Sequence, residues 1–87
     1  MTSKLIRATY LTGHSVQLDF ADGTGGPVDL TGELAGEIFL PLLDVSYFRS
    51  FRLNTETNII EWPNGADFAP EFLYERALHS FSGRIKG

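Results

Sequence analysis

Cysteine is absent from the 87 residues, so neither a disulfide framework nor a thiolate-bound zinc can hold the chain together, and a small apolar core must do so unaided. Lysine and arginine are absent from Ala8 through Phe48. A phosphate backbone is bound by cations that displace its counterions, so direct nucleic-acid binding by that half is not expected. Long apolar runs are also missing: no window approaches the roughly 18 residues of a membrane span, and MTSKLIRATY lacks the apolar stretch of a signal peptide. Together these absences suggest a soluble, cytoplasmic protein without a membrane partner.

What is present is an ordinary globular balance, 43% hydrophobic and 21% charged, with a net charge of -4. Such a composition is too apolar for intrinsic disorder. Length allows one domain, read here as residues 1–81 with 82–87 as a flexible tail. A chain this short buries only about 60–65% of its extended surface, so modest stability is expected. Asp19, Asp22, Asp29, Glu33, Glu37 and Asp44 all fall within the cation-free stretch. Such a stretch is either a solvated acidic face or an attractor for a basic protein partner, with Asp19, Asp22, Glu33 and Glu37 as the partner-facing candidates.

Periodicity gives the elements. KLIRATYL has a rough period of two, and SVQLDF alternates cleanly, with Val16, Leu18 and Phe20 on one face. Thr12-Gly13-His14 links them as a hairpin. Asp22-Gly23 predicts a type I′ turn into a third strand, PVDL, whose Pro27 belongs at a strand start or a sheet edge. Thr31 is a candidate cap for a short helical turn. In IFLPLLDVSYF, Pro41 interrupts any continuous helix, so an irregular, partly helical segment should drape Phe39, Leu40, Leu42 and Phe48 over the sheet. Residues 51–62 read as strand, polar turn and strand. The last element, PEFLYERALHSF, carries Leu73, Tyr74, Ala77, Leu78 and Phe81 as a helical stripe. The fold class is therefore α+β, a curled antiparallel sheet of about five strands packed against a C-terminal helix.

EWPNGADFAPE, residues 61–71, is the polar stretch that invites a chemical reading. Its structural reading is a forced turn. Pro63 ends the ladder, Asn64-Gly65 tolerates positive φ, Pro70 fits the first helical position and Glu71 favours the helix N-terminus. Ala69 is a poor cap, which leaves Asp67 to fold back onto the unpaired amides of the first turn. The alternative is a small-molecule or metal site near Asn64 and Asp67, with Glu61 and Glu71 close by in sequence. That spacing matches no calcium loop, and neither does DFADGTGG.

Other chemistry finds little support. His14 falls in a turn and His79 on a polar helix face, with no nucleophile placed to pair with either. GTGG precedes Pro27 and a strand rather than a lysine and a helix, unlike a phosphate loop. Phe39, Phe48, Phe51, Trp62 and Phe72 have no interleaved cations and read as core rather than base-stacking platforms. No cofactor and no catalytic residue is expected, and the chain does not read as an enzyme.

The combination of V-x-L-x-F-x-D-G at Val16 to Gly23, V-D-L at Val28 to Leu30, L-x-D-x-x-x-F at Leu42 to Phe48 and W-P-N-G-A-D-F-x-P-E-x-L-Y at Trp62 to Tyr74 resembles a small bacterial family of domains of unknown function. The resemblance covers about residues 4 to 78, and the last motif, with Trp62, Pro63, Asn64, Gly65, Asp67, Pro70 and Glu71, is its signature. It implies an α+β fold with a curled sheet on a C-terminal helix. It further implies proteins that stand alone or precede a helix-turn-helix domain, often in toxin-antitoxin-like gene arrangements. Ala69 departs from the pattern, where relatives often carry a capping residue, and these 87 residues leave no room for a fused DNA-binding domain. The expected role is a small binding or regulatory module, an antitoxin-like partner of a basic protein. The alternatives are the small-molecule or metal site and a transcription-regulatory accessory domain. Unpaired sheet edges also leave a homodimer open.

Overall fold

The computed structural model describes the backbone of residues 3–86 and the side chains of residues 3–79. The alternating run forms strand β2 (Ser15–Phe20), central in a three-stranded antiparallel sheet ordered β1-β2-β3, with β1 at Leu5–Thr12 and β3 at Gly25–Asp29. Val16, Leu18 and Phe20 are buried, as their alternation requires, and Ser15, Gln17 and Asp19 occupy the other face. In β1 the pairing shifts between Leu5 and Arg7 and again between Tyr10 and Thr12, leaving Ile6 and Leu11 without partners. An extra residue resets the alternation. The inward set is thus Leu5, Ala8 and Tyr10, which crosses both parities of the sequence.

The connections differ from two expectations. Only Gly23 has positive φ (91°) at the β2–β3 turn, so the I′ geometry, which needs two such residues, is not formed. Instead the Phe20 N–H donates to Thr24 O at 2.8 Å and the Gly23 N–H to Phe20 O at 3.0 Å. The Asp22 carboxylate accepts from the Thr24 N–H at 2.9 Å. Thr31 does not cap the short 3-10 turn Thr31–Glu33. The preceding Asp29 carboxylate accepts from both its N–H (2.9 Å) and its hydroxyl (2.6 Å), an Asx turn that outcompetes a hydroxyl cap.

The five expected strands divide between two sheets. β4 (Arg52–Asn54) and β5 (Ile59–Glu61) form a separate antiparallel hairpin, turned by the Asn54 side chain, which accepts from the Glu56 and Thr57 amides. Ile60 and Trp62 are buried, and Ile59 and Glu61 share the opposite, half-buried face. The hairpin is tied to β1 where the Asn58 side chain donates to Leu5 O at 3.3 Å.

Helix α2 (Pro70–Lys86) packs beside β3, with Leu73 and Ala77 fully buried and Tyr74 and Leu78 half-buried. Its backbone stays helical past Phe81 into the residues assigned above to a tail. Gly87 lies outside the described residues, as does the Phe81 side chain. Arg76 locks the helix in place, donating to the Glu33 carboxylate at 2.7 Å and to Asp29 O at 2.9 Å while lying over the Phe72 ring. One core collects Leu5, Val16, Leu18, Leu30, Phe48, Ile60, Trp62 and Leu73 with their neighbours. No buried polar side chain among the described residues lacks a partner.

Candidate interaction surface

The most apolar stretch of the chain becomes a 3-10 helix at Glu37–Leu43 followed by the single turn α1 (Val45–Phe48). Pro41 cannot donate and disfavours α geometry at Leu40, so the tighter i to i+3 pattern takes over. Asp44 separates the two pieces and accepts from the Ser46 N–H at 3.1 Å, as an N-cap does.

Leu42 and Phe48 point inward and are fully buried, and Phe39 stacks on Phe68 with ring centroids 5.0 Å apart. Leu40 does not drape over the sheet as its hydrophobicity suggests. It is 56% exposed, and Ile38 (48%), Leu43 (51%) and Val45 (38%) join it on the outside. A short helix on a sheet can bury only one side, and here both sides are apolar. Glu37 and Asp44 are exposed within the same segment.

Three side chains from two other parts of the fold fix this segment by its carbonyls. His14 Nε2 lies 2.9 Å from Leu42 O and 3.1 Å from Leu43 O. Carbonyls only accept, so this nitrogen carries the ring proton. Asn64 Nδ2 donates to Ile38 O at 2.8 Å, and Trp62 Nε1 donates to Phe48 O at 2.8 Å in a buried setting. These bonds satisfy carbonyls that an irregular helical segment would otherwise leave unpaired.

Two of the three donors belong to the signature turn. There the Gly65 N–H donates to Trp62 O and the Trp62 N–H to Ala66 O, both at 2.9 Å. The Asn64 side-chain oxygen accepts from the Ala66 N–H at 3.0 Å, and Gly65 takes φ 93°, where a Cβ would be strained. The turn thus drives Ala66 and Phe68 into the core and leaves Asp67 exposed. The expected Asp67 cap is not formed: among the described residues its carboxylate takes no hydrogen bond, and its backbone bridges to Glu61. Alternation explains this, since a residue between two buried neighbours in extended chain points outward. Ala69 O accepts the Leu73 N–H at 3.2 Å as the helix begins at Pro70, with Glu71 in its first turn.

Two of the groups named for the alternative ligand site are engaged elsewhere. Both ends of the Asn64 amide are engaged, and the Glu61 carboxylate faces Asn54 Nδ2 (3.3 Å) and Arg52 (4.0 Å). The open hollow beside the turn, about 360 Å³, is lined by Arg52, Glu61, Trp62, Pro63 and Gly65. Among the described residues no three His, Cys, Asp or Glu side chains gather at metal-binding distance.

The acidic candidates separate. Asp22 accepts from the Tyr74 hydroxyl at 2.5 Å; that bond first, and the Thr24 amide next, hold its carboxyl below the usual carboxylate range. Glu33 is paired with Arg76. Asp19 lies on the outer sheet face opposite Arg7. Of Asp19, Asp22, Glu33 and Glu37, Glu37 alone belongs to the exposed apolar segment, where Asp44 accompanies it. Asp29, unassigned by that reading, is likewise held low, chiefly by the Thr31 hydroxyl and then its amide.

Residues 5–79 match the protein family of unknown function DUF2442. The chain belongs to the DUF2442 family. No curated protein and no solved structure matches it. In this DUF2442 chain the matched region runs from the start of β1 into α2, so it spans the sheet, the apolar segment and the signature turn that fixes it. No helix among the described residues is long and apolar enough to cross a membrane.

Proposed function

We propose that this chain is a non-catalytic binding module whose segment 37–48 docks on a small basic protein. The observation that carries the reading is a run of four exposed aliphatic side chains, Ile38, Leu40, Leu43 and Val45, on a backbone held by His14, Asn64 and Trp62. Isolated exposed leucines need no explanation, but four exposed aliphatic side chains within eight residues of a fixed backbone are characteristic of an interaction surface. Covering the remaining half of each side chain contributes about 1 kcal/mol apiece, and a pre-ordered segment loses little entropy on binding. The choice of a basic partner rests on charge: Glu37 precedes the four aliphatic residues and Asp44 lies among them, and no cation interrupts the sequence from Ala8 to Phe48.

The finer reading is an antitoxin-like protein that covers its partner's basic surface, in line with the gene arrangements implied by the W-P-N-G-A-D resemblance. A non-catalytic role is supported by the histidines, since the His14 ring bonds backbone carbonyls and His79 lies exposed on α2. The test is purification from the native cell at low salt, comparing the wild type with Leu40→Asp/Leu43→Asp, followed by calorimetry with the purified partner. A stoichiometric basic protein should accompany the wild type, be released by salt and be lost from the variant. Retention by the variant, or an acidic partner, would overturn the reading.

A further inference from the structure

The two edges of the three-stranded sheet are treated differently. On the β3 side, α2 lies alongside and Arg76 takes up Asp29 O. On the β1 side, no strand among the described residues pairs with the outer edge; the β4–β5 hairpin packs nearby, and its Asn58 side chain donates to Leu5 O at the start of the strand. Between its two irregularities β1 keeps four regularly paired residues, Arg7, Ala8, Thr9 and Tyr10. An unpaired edge is a template for an incoming strand, and flanking bulges limit how far pairing can extend.

The fold also gathers charge here that the sequence keeps apart. Lys4 and Arg7 precede the acidic stretch, and Arg49 and Arg52 follow it. The Arg49 guanidinium lies 5.1 Å from the centre of the Tyr10 ring on β1. Arg52 is 78% exposed on β4, in the hairpin tied to the start of β1. Lys4 and Arg7 are exposed on or beside the strand itself. Ile6 (55%) and Leu11 (43%), the two unpaired residues, add exposed apolar side chains at either end of the regular stretch.

From these observations we infer that the β1 edge accepts a short, extended, acidic segment of another protein as an added antiparallel or parallel strand. Main-chain hydrogen bonds to the alternate residues of the 7–10 stretch whose amides face away from β2 supply the general affinity, and the exposed Arg7 and Arg52 select carboxylates along the segment. A peptide fits better than a nucleic acid. Pairing along the edge needs main-chain donors and acceptors, which a polynucleotide lacks; Arg7 faces Asp19 across the strand pair and Arg52 lies within 4.0 Å of Glu61, so charge alone does not hold a ligand here. The site is independent of segment 37–48, so a failure of that docking surface does not affect it.

The test is amide NMR at low salt with a short blocked peptide that alternates valine with glutamate. Saturable shifts confined to residues 6–11 and 49–52, slowed exchange of edge amides, and no effect of Leu40→Asp are expected. The double variant Arg7→Glu/Arg52→Glu changes only exposed side chains, and its thermal melting reports whether the fold survives. It should weaken binding by about tenfold or more, whereas a valine–lysine peptide should not bind. No saturable shift, shifts on residues 37–48 instead, or undiminished binding to a folded double variant would overturn the inference. So would tighter occupation of the same residues by a blocked DNA duplex.

Discussion

The signature turn and the mid-chain segment exchange the roles their compositions suggest. The turn is polar and exposed in sequence terms, yet Trp62 and Asn64 direct their polar atoms at the backbone of residues 38 and 48. The segment is apolar, yet four of its aliphatic side chains face outward. Polarity marks how a group can be satisfied, and the backbone it can reach decides whether it becomes a peg or a contact surface. The turn is therefore the support, and the segment it supports is the presented face.

The comparison breaks most visibly if Trp62 is removed. Trp62→Ala takes away a buried ring packed 5.6 Å from Phe48 and 5.8 Å from Phe68 as well as the bond to Phe48 O. A loss of about 3–5 kcal/mol is expected, a large part of the stability of a small domain, and urea unfolding measures it. Asn64→Ala should cost about 1–3 kcal/mol, because Ile38 O and the Ala66 N–H both lose partners. Asn64→Asp sharpens the point: it keeps the acceptor for the Ala66 N–H but sets a carboxylate oxygen against Ile38 O, so it should still destabilise, isolating the loss at Ile38. A wild-type-like unfolding midpoint for Asn64→Ala would show that the turn does not support the segment.

A smaller effect concerns pH. The folded-state pKa of Asp22 is lowered by the Tyr74 hydroxyl, so its contribution is complete above the unfolded value near 3.8 and disappears as pH falls through the depressed folded value. Unfolding midpoints at pH 6 and at about pH 2.5 should therefore differ less in Tyr74→Phe than in the wild type. An unchanged difference would mean that the bond does not persist in solution. The smallest effect is assigned to Asp67→Asn, which should leave stability within about 0.5 kcal/mol, since that carboxylate takes no hydrogen bond among the described residues. A loss above 1 kcal/mol would restore it as a helix cap.

Legibility followed the range of the forces involved. The alternation of Val16, Leu18 and Phe20, the shared face of Ile60 and Trp62, and the start of α2 at Pro70 were readable because each depends on residues two to four apart. The bulges of β1 were not, because Ile6 and Leu11 are displaced by pairing with β2 and not by any local preference. Nor was the exposure of Leu40, which depends on which side of a 3-10 turn the sheet happens to cover. His14 carried no recognisable signal for holding residues 42 and 43, since its partners are backbone atoms with no sequence identity. Asp67 does not cap α2 because its neighbours Ala66 and Phe68 take the inward positions.

The sequence alone determined an α+β chain with two hairpins, an interrupted apolar segment and a terminal helix, since periodicity, turn chemistry and proline act locally. Tertiary structure alone decided that the strands form two sheets, that His14, Trp62 and Asn64 converge on one segment, and that cations from both sides of the acidic stretch meet at β1. The physical reason is that packing and long-range hydrogen bonds depend on which surfaces are brought together, a choice made by the whole core and by no single stretch of the chain.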